Sequence, residues 1–303
     1  MISYYKRTIR DKKIKEVSTL SGGAWISAIN PSDEEITELV KTHSLDEFNV
    51  RGGLDDFELP RIEEEDGVHY IYVNIMPAKF EHELSTLLII LTPDNLITIS
   101  RIEPRFFKKI MEGTEKLITT QKLKSLITML SLVNREFEKV TRRIIKSVRG
   151  ERNIVQSLEE KHVTDLLQYE DVLNTFVTSY HYMNLVYERM TRQLDFFEDD
   201  KDLIEDLIIE GTQGADMCRS SLRTISNIRN YILVLSSNRL NKILKVLTIF
   251  TVFISIPAAI SGLYGMNVAL PFQDNPFTFA YVFGFLLLVW LSVWLYFKRS
   301  NIL

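Results

Sequence analysis

The sequence predicts an α+β membrane protein: a cytosolic N-terminal α/β domain, long antiparallel helices, and a very long helix continuing into the first of two C-terminal transmembrane spans. Three observations lead there. Val246 to Leu263 and Phe279 to Phe297 are uncharged, predominantly apolar, and close to the roughly 20 residues that cross a bilayer core. Before Ser100, short alternating or apolar runs are separated by turn signals. Beyond Pro104, apolar residues recur at helical spacing.

In the first region, Ala24 to Ala28, Val68 to Val73, Thr86 to Leu91 and Leu96 to Ile99 read as strands, divided by Gly22-Gly23, Asp66-Gly67 and Pro93-Asp94-Asn95. Between them, Asn30-Pro31-Ser32-Asp33-Glu34-Glu35 combines a capping residue with a first-turn acid cluster, which predicts a helix from Ser32 to Thr42 and a shorter one around Leu45 to Phe48. From Thr119 to Val148 the apolar positions Leu123, Ile127, Leu130, Phe137 and Ile144 keep helical spacing. Gly150 and Asn153 then predict a break before a second helix reaching about Phe197. The acids Asp199, Asp200 and Asp202 favour a third helix start, since they sit well against the positive end of a helix dipole. No proline follows until Pro257, so this helix is expected to run on to Met266 despite Gly211 and Gly214. The expected organisation is a cytosolic α/β domain at 1–115, a helical hairpin at 116–198, a stalk helix at 199–245 and a transmembrane domain at 246–303, with spans at 246–263 and 279–297 joined by a loop at 264–278.

Composition removes several function classes. The chain has 303 residues, 46% of them hydrophobic, and a net charge of −4. A pI near 5.8 opposes nucleic-acid binding, which leaves a basic footprint. The single cysteine, Cys218, has no partner for a disulfide or a metal knuckle and is read as a helix-packing residue. Met1 to Arg10 holds no apolar core of signal-peptide length. A phosphate-cradling glycine loop and paired helical histidines are both missing from the sequence, so no catalytic residue and no covalently bound cofactor are expected. Arg239, Lys242 and Lys245 precede the first span and Lys298-Arg299 follow the second, which places both termini in the cytoplasm at a plasma membrane.

Within the first span Asn241, Leu244, Thr248, Thr251, Ser255, Ala258 and Gly262 recur at alternating steps of three and four, making one face small or polar. Such a face either packs closely against another helix or, repeated in several subunits, surrounds an aqueous path. Lys242 and Lys245 each lie one position off the stripe, rotated about 100° from it, where they serve as topology signals at lipid headgroups. The stripe ends in Tyr264-Gly265-Met266-Asn267. Asn267 offers an amide oxygen to a cation or, alternatively, a helix C-cap.

Lys245-Val246-Leu247-Thr248 at the start of this span and Gly262-Leu263-Tyr264-Gly265-Met266-Asn267 at its end resemble the CorA-type divalent-cation transporter family, whose signature is Gly-Met-Asn at the outer end of the first of two C-terminal spans. Pro60-Arg61-Ile62-Glu63-Glu64-Glu65 before an apolar strand is similar to that family's cytosolic domain. The resemblance implies a funnel-shaped homopentamer in the lipid bilayer. Its pore is lined by the first span, and the filter is at Tyr264, Gly265, Met266 and Asn267. It also implies a polar ring at Asn241, an apolar constriction at Leu244 and Leu247, and a regulatory cation held between subunits at Asp206, with Glu210 one turn on. Mg²⁺ would be both transported and regulatory ion, with Co²⁺ or Ni²⁺ as further cargo. Asp274, the lone acid of a loop that departs from the family's usual segment, would concentrate cations at the outer mouth. Two alternatives stand beside this: a proton-coupled Zn²⁺ transporter of the ZntB type, and a membrane-anchored sensor or scaffold that moves no ion. The dispersal of His43, His69, His82, His162 and His181 away from both spans favours Mg²⁺ over Zn²⁺.

Overall fold

The structure is a computed structural model describing residues 1–19, 21–77, 84–154, 160–267 and 275–299. The chain divides into two compact units, Met1–Ile228 and Arg229–Leu303. The first begins with β1 (Ile2–Lys6), β2 (Lys15–Glu16), β3 (Trp25–Ile29), α1 (Asp33–His43) and α2 (Glu47–Gly52). It continues through β4 (Arg61–Glu65), β5 (Val68–Ile75), β6 (Ser85–Leu91), β7 (Leu96–Ser100) and α3 (Arg105–Met111) to α4 (Lys122–Ile154) and α5 (Glu160–Gln193). The helix α6 (Glu198–Tyr264) runs through both units, and α7 (Thr278–Arg299) completes the second.

The strands form one sheet in the order β2-β1-β3-β7-β6-β5-β4. β3 and β7 pair in parallel, Trp25 opposite Leu96 through Ile29 opposite Ser100, and every other neighbouring pair is antiparallel. Strands β6 and β7 are buried along their whole length, which is why they read as continuous apolar runs and not as alternating ones. Charged edges close the sheet: Lys15-Glu16 on one side, Arg61 and Glu63 to Glu65 on the other. The β4–β5 hairpin turns on Asp66 and Gly67, both with positive φ (49° and 76°), the conformation that a tight two-residue hairpin demands.

One face of the sheet carries Ile26, Ala28, Tyr70, Tyr72, Leu88 and Ile90, covered by Ile36 and Leu39 of α1 and Val50 of α2. The expected capping box starts α1: Ser32 Oγ accepts from Glu35 N (3.3 Å), and the Glu35 carboxylate accepts from Ser32 N (3.0 Å). On the other face Trp25 meets Phe107 of α3 edge-on at 4.8 Å and donates to Thr98 Oγ1 (2.9 Å). Ser179 of α5 donates to Asn74 of β5 (3.0 Å), tying α5 to the sheet.

Helices α4 and α5 are antiparallel, since the Phe137 ring lies 4.8 Å from that of Phe176, tilted against it, while Asn134, one turn earlier, receives the Tyr187 hydroxyl (2.9 Å). Of the break expected at Gly150 and Asn153, Gly150 itself does not end the helix: α4 continues to Ile154, just past Asn153, and α5 begins at Glu160. One exposed glycine costs a helix only about 1 kcal/mol, too little to end a helix whose preceding turns are packed against α5. The third helix starts at Glu198 with Glu198, Asp199 and Asp200 in its first turn. Gly211 and Gly214 interrupt nothing there, and each lies directly against a side chain of α5: a Cβ at 211 would collide with Asn184 and one at 214 with Tyr180.

In the second unit, α7 has no buried residue, and Leu247, Phe250, Ile254 and Leu263 of α6 are exposed. Both helices are long and apolar enough to cross a bilayer, and exposed apolar surface this extensive matches lipid.

Candidate ion pathway

α7 covers one side of the span of α6. Ile249, Val252, Phe253, Ile256, Pro257 and Ile260 are the partly covered residues there, while Asn241, Leu244, Thr248, Thr251, Ser255, Ala258 and Gly262 are all exposed. At 100° per residue the centre of that stripe lies roughly 150° from the centre of the covered face. The two spans of one chain therefore pack without using the small and polar face. Leu247, placed by resemblance at the constriction beside Leu244, is also exposed.

The stripe's hydroxyls are turned in a particular way. Thr248 Oγ1 donates to the Leu244 carbonyl (2.8 Å), Thr251 Oγ1 to Leu247 (2.9 Å) and Ser255 Oγ to Val252 (3.2 Å). Each proton is spent on the helix's own backbone, so the oxygens present lone pairs outward. A row of acceptors suits a hydrated cation, whose shell waters point their hydrogens away from the ion.

At the end of the span Gly265 N donates to Ser261 O (2.9 Å) and Met266 N to Leu263 O (3.4 Å), closing α6 after Tyr264. Tyr264, Gly265, Met266 and Asn267 are all exposed. Among the described residues the non-glycine positions with positive φ are Asn30, Ser44 and Asp66, so Asn267 does not adopt the left-handed form of a helix C-cap. Asp274 lies outside the described residues.

Pro257 sits inside α6, and having no N–H it leaves the carbonyl four residues earlier, that of Phe253, without its helical donor. Trp290 of α7 supplies one: its indole Nε1 donates to Phe253 O at 3.1 Å. The sequence signal was present in Pro257, but its partner lies 37 positions from Phe253 and nothing local identifies it.

In the first unit, Asp206 and Glu210 project to the exposed side of α6. Crowding by neighbouring protein pushes the Glu210 carboxyl above the usual range, opposed by a hydrogen bond from Asn134 and the charge of Arg135. Among the described residues of this single chain, no three of His, Cys, Asp or Glu gather as a metal-binding set. Sequence reasoning missed Asn134 and Tyr187, which hold this part of α6: Asn134 Nδ2 donates to Leu207 O (3.2 Å) while its oxygen takes the Tyr187 hydroxyl.

Residues 21–299 match the family described as CorA-like Mg²⁺ transporter protein. The cobalt/magnesium transport protein CorA of Methanocaldococcus jannaschii is 26% identical over 296 residues, covering 91% of this chain and 90% of that one. The complete structure of the CorA magnesium transporter from the same organism superposes with a TM-score of 0.88 at 22% identity, over 99% of this chain and 98% of that one. The cytoplasmic domain of ZntB from Vibrio parahaemolyticus matches at TM-score 0.66 and 10% identity, over 78% of this chain and 98% of that one, so the soluble fold alone does not separate the two branches. With the family's pattern running through nearly its whole length, and with its own two apolar helices and Gly-Met-Asn end in place, the chain belongs to the CorA-like Mg²⁺ transporter family.

Proposed function

We propose that the chain assembles as a homopentamer in the plasma membrane, both termini cytoplasmic, and conducts divalent cations, Mg²⁺ foremost and Co²⁺ or Ni²⁺ as further cargo. Support comes chiefly from one observation: the small and polar stripe of α6 is left uncovered by the chain's own second span and leads to Asn267. In lipid such a face needs partners or water, and copies of it around an axis provide both. Asn241 then forms a polar ring, Leu244 and Leu247 a dewetting constriction, and Thr248, Thr251, Ser255, Ala258 and Gly262 the wall. The filter is Tyr264 to Asn267, where neutral oxygens hold a hydrated ion without trapping it. In this organisation 1–115 is the α/β domain, 116–198 the hairpin, 199–245 the stalk and 246–303 the membrane part. Asp206 and Glu210 bind a regulatory Mg²⁺ between subunits, and Asp274 attracts cations at the outer mouth.

The test is uptake into proteoliposomes. Wild type is expected to take up Mg²⁺ down its gradient, and Asn267→Ala to reduce the rate about tenfold or more, the equivalent of about 1.4 kcal/mol. Equal uptake by both proteins overturns the filter. Zn²⁺ uptake that depends on a pH gradient selects the ZntB-type mechanism, and no uptake of any ion selects the scaffold.

A further inference from the structure

We infer that Trp290 is a positioning residue for the outer part of the first span: its indole latches α6 at the point where Pro257 has weakened it. The argument starts from two unmet needs. Phe253 O has lost its helical donor because residue 257 is proline, and the indole Nε1 is a donor that accepts nothing. Neither group finds water in a bilayer core. At 3.1 Å each satisfies the other, and the Phe253 and Trp290 rings, 6.1 Å apart, pack beside the bond. Phe253, Pro257 and Trp290 are all partly covered where the two helices meet, so the indole is held on that side by its own packing.

The consequence is mechanical. A helix lacking one backbone bond flexes most easily at that place. Everything the proposed pathway places at its outer end, from Ala258 through Gly262 to Asn267, lies beyond it. At 1.5 Å per residue Asn267 is about 15 Å from Pro257, so a tilt of about 10° there moves it about 2.5 Å. The latch ties that tilt to α7, and with Trp290 released the outer segment turns independently of the part that carries Leu244 and Leu247. This consequence for transport rests on the transport reading above, whereas the latch itself does not.

A double-mutant cycle on the full chain tests it. Trp290→Phe keeps the aromatic volume and removes the donor. Pro257→Ala returns an N–H to Phe253 O and makes the donor unnecessary. Trp290→Phe is expected to change the Mg²⁺ uptake rate about threefold, the effect typical of one interhelical hydrogen bond in a membrane, and to change nothing in the Pro257→Ala background. The same change in both backgrounds means that the ring acts only by packing, and no change in either means that no latch operates; both overturn the inference. Independently of transport, the indole N–H signal of Trp290, assigned by its loss in Trp290→Phe, should move upfield in Pro257→Ala as its bond to Phe253 weakens, with the Trp25 signal unmoved. An unmoved Trp290 signal overturns the latch even if uptake is normal. Failure of wild type to take up any ion removes the transport reading and leaves the spectral result to decide the latch.

Discussion

The Tyr180 ring occupies the space that any side chain at Gly214 would enter. Tyr180 is fully buried, set against Phe137 at a ring distance of 5.5 Å, and has no room to withdraw. Gly214→Ala therefore sets a helix-propensity gain of about 1 kcal/mol against an overpacking cost of about 1–3 kcal/mol, and the cost wins. Gly150 is the control. It lies on an exposed part of α4 with nothing within 4 Å of a Cβ, so Gly150→Ala should stabilise by about 0.5–1 kcal/mol. Thermal melting of the detergent-solubilised chain should show the two substitutions moving the midpoint in opposite directions; a rise for both would mean that α5 yields to α6.

The contrast between these glycines also shows what the sequence could tell. Strands β5, β6 and β7, the capped start of α1 and the two long apolar helices follow from local patterns, alternation, run length and caps, and the structure has these elements there. Strands β1 and β2, at one end of the sheet, carry weaker patterns, because their side chains are only partly covered or exposed. Glycine looked like punctuation at 150 and like a weakness at 211 and 214. Its meaning depends on what stands opposite, which is open space at Gly150, Asn184 at Gly211 and Tyr180 at Gly214. The bonds from Tyr187 to Asn134 and from Trp290 to Phe253 were hidden for the same reason, since they join residues 53 and 37 positions apart. The stripe itself was legible, but that α7 packs on the other side of α6 was not.

Asn134 makes a second prediction. Its side chain receives Tyr187 and donates to Leu207 O, so one residue of α4 ties α5 and α6 together inside the protein. Tyr187→Phe removes one hydrogen bond and should cost about 1 kcal/mol. Asn134→Ala leaves a buried hydroxyl unmatched, removes the added bond to Leu207 O, which keeps its helical donor, and opens a small void, so it should cost more, about 2–4 kcal/mol. Denaturant unfolding of the two variants checks the order, and equal losses would mean that the added bond from Asn134 to Leu207 O contributes nothing to the fold.

Cys218 gives a probe of the same interface. The thiol is fully buried, shares a 3.6 Å hydrogen bond with Thr141 and is pushed up to about 11 by burial. Burial suppresses the thiolate, the reactive form, and shields the sulfur from reagents, outweighing the Thr141 contact that acts the other way. Maleimide labelling at pH 7 should be negligible in the folded chain and rapid once denaturant separates α4 from α6. The onset of labelling then reports that separation directly, and rapid labelling without denaturant would contradict the packing.

Glu210 links the stability of the first unit to pH and, in its proposed regulatory role, to Mg²⁺. Crowding raises its carboxyl above the ordinary value, so the folded chain holds this proton more tightly than the unfolded one. Ionised Glu210 therefore weakens the fold. The penalty is absent below the unfolded pKa, develops as pH rises toward the raised folded value, and is complete above it. Glu210→Gln should melt higher than wild type at pH 7, with the difference vanishing as pH falls through that window. A divalent cation at Asp206 and Glu210 would reverse the situation, because its charge favours both carboxylates and binding to the folded form stabilises it. Millimolar Mg²⁺ should accordingly raise the wild-type midpoint at pH 7, and raise it less in Glu210→Gln and in Asp206→Asn. Identical Mg²⁺ shifts in all three proteins would separate the acids from cation binding and leave Glu210 as an exposed carboxylate whose charge its surroundings disfavour.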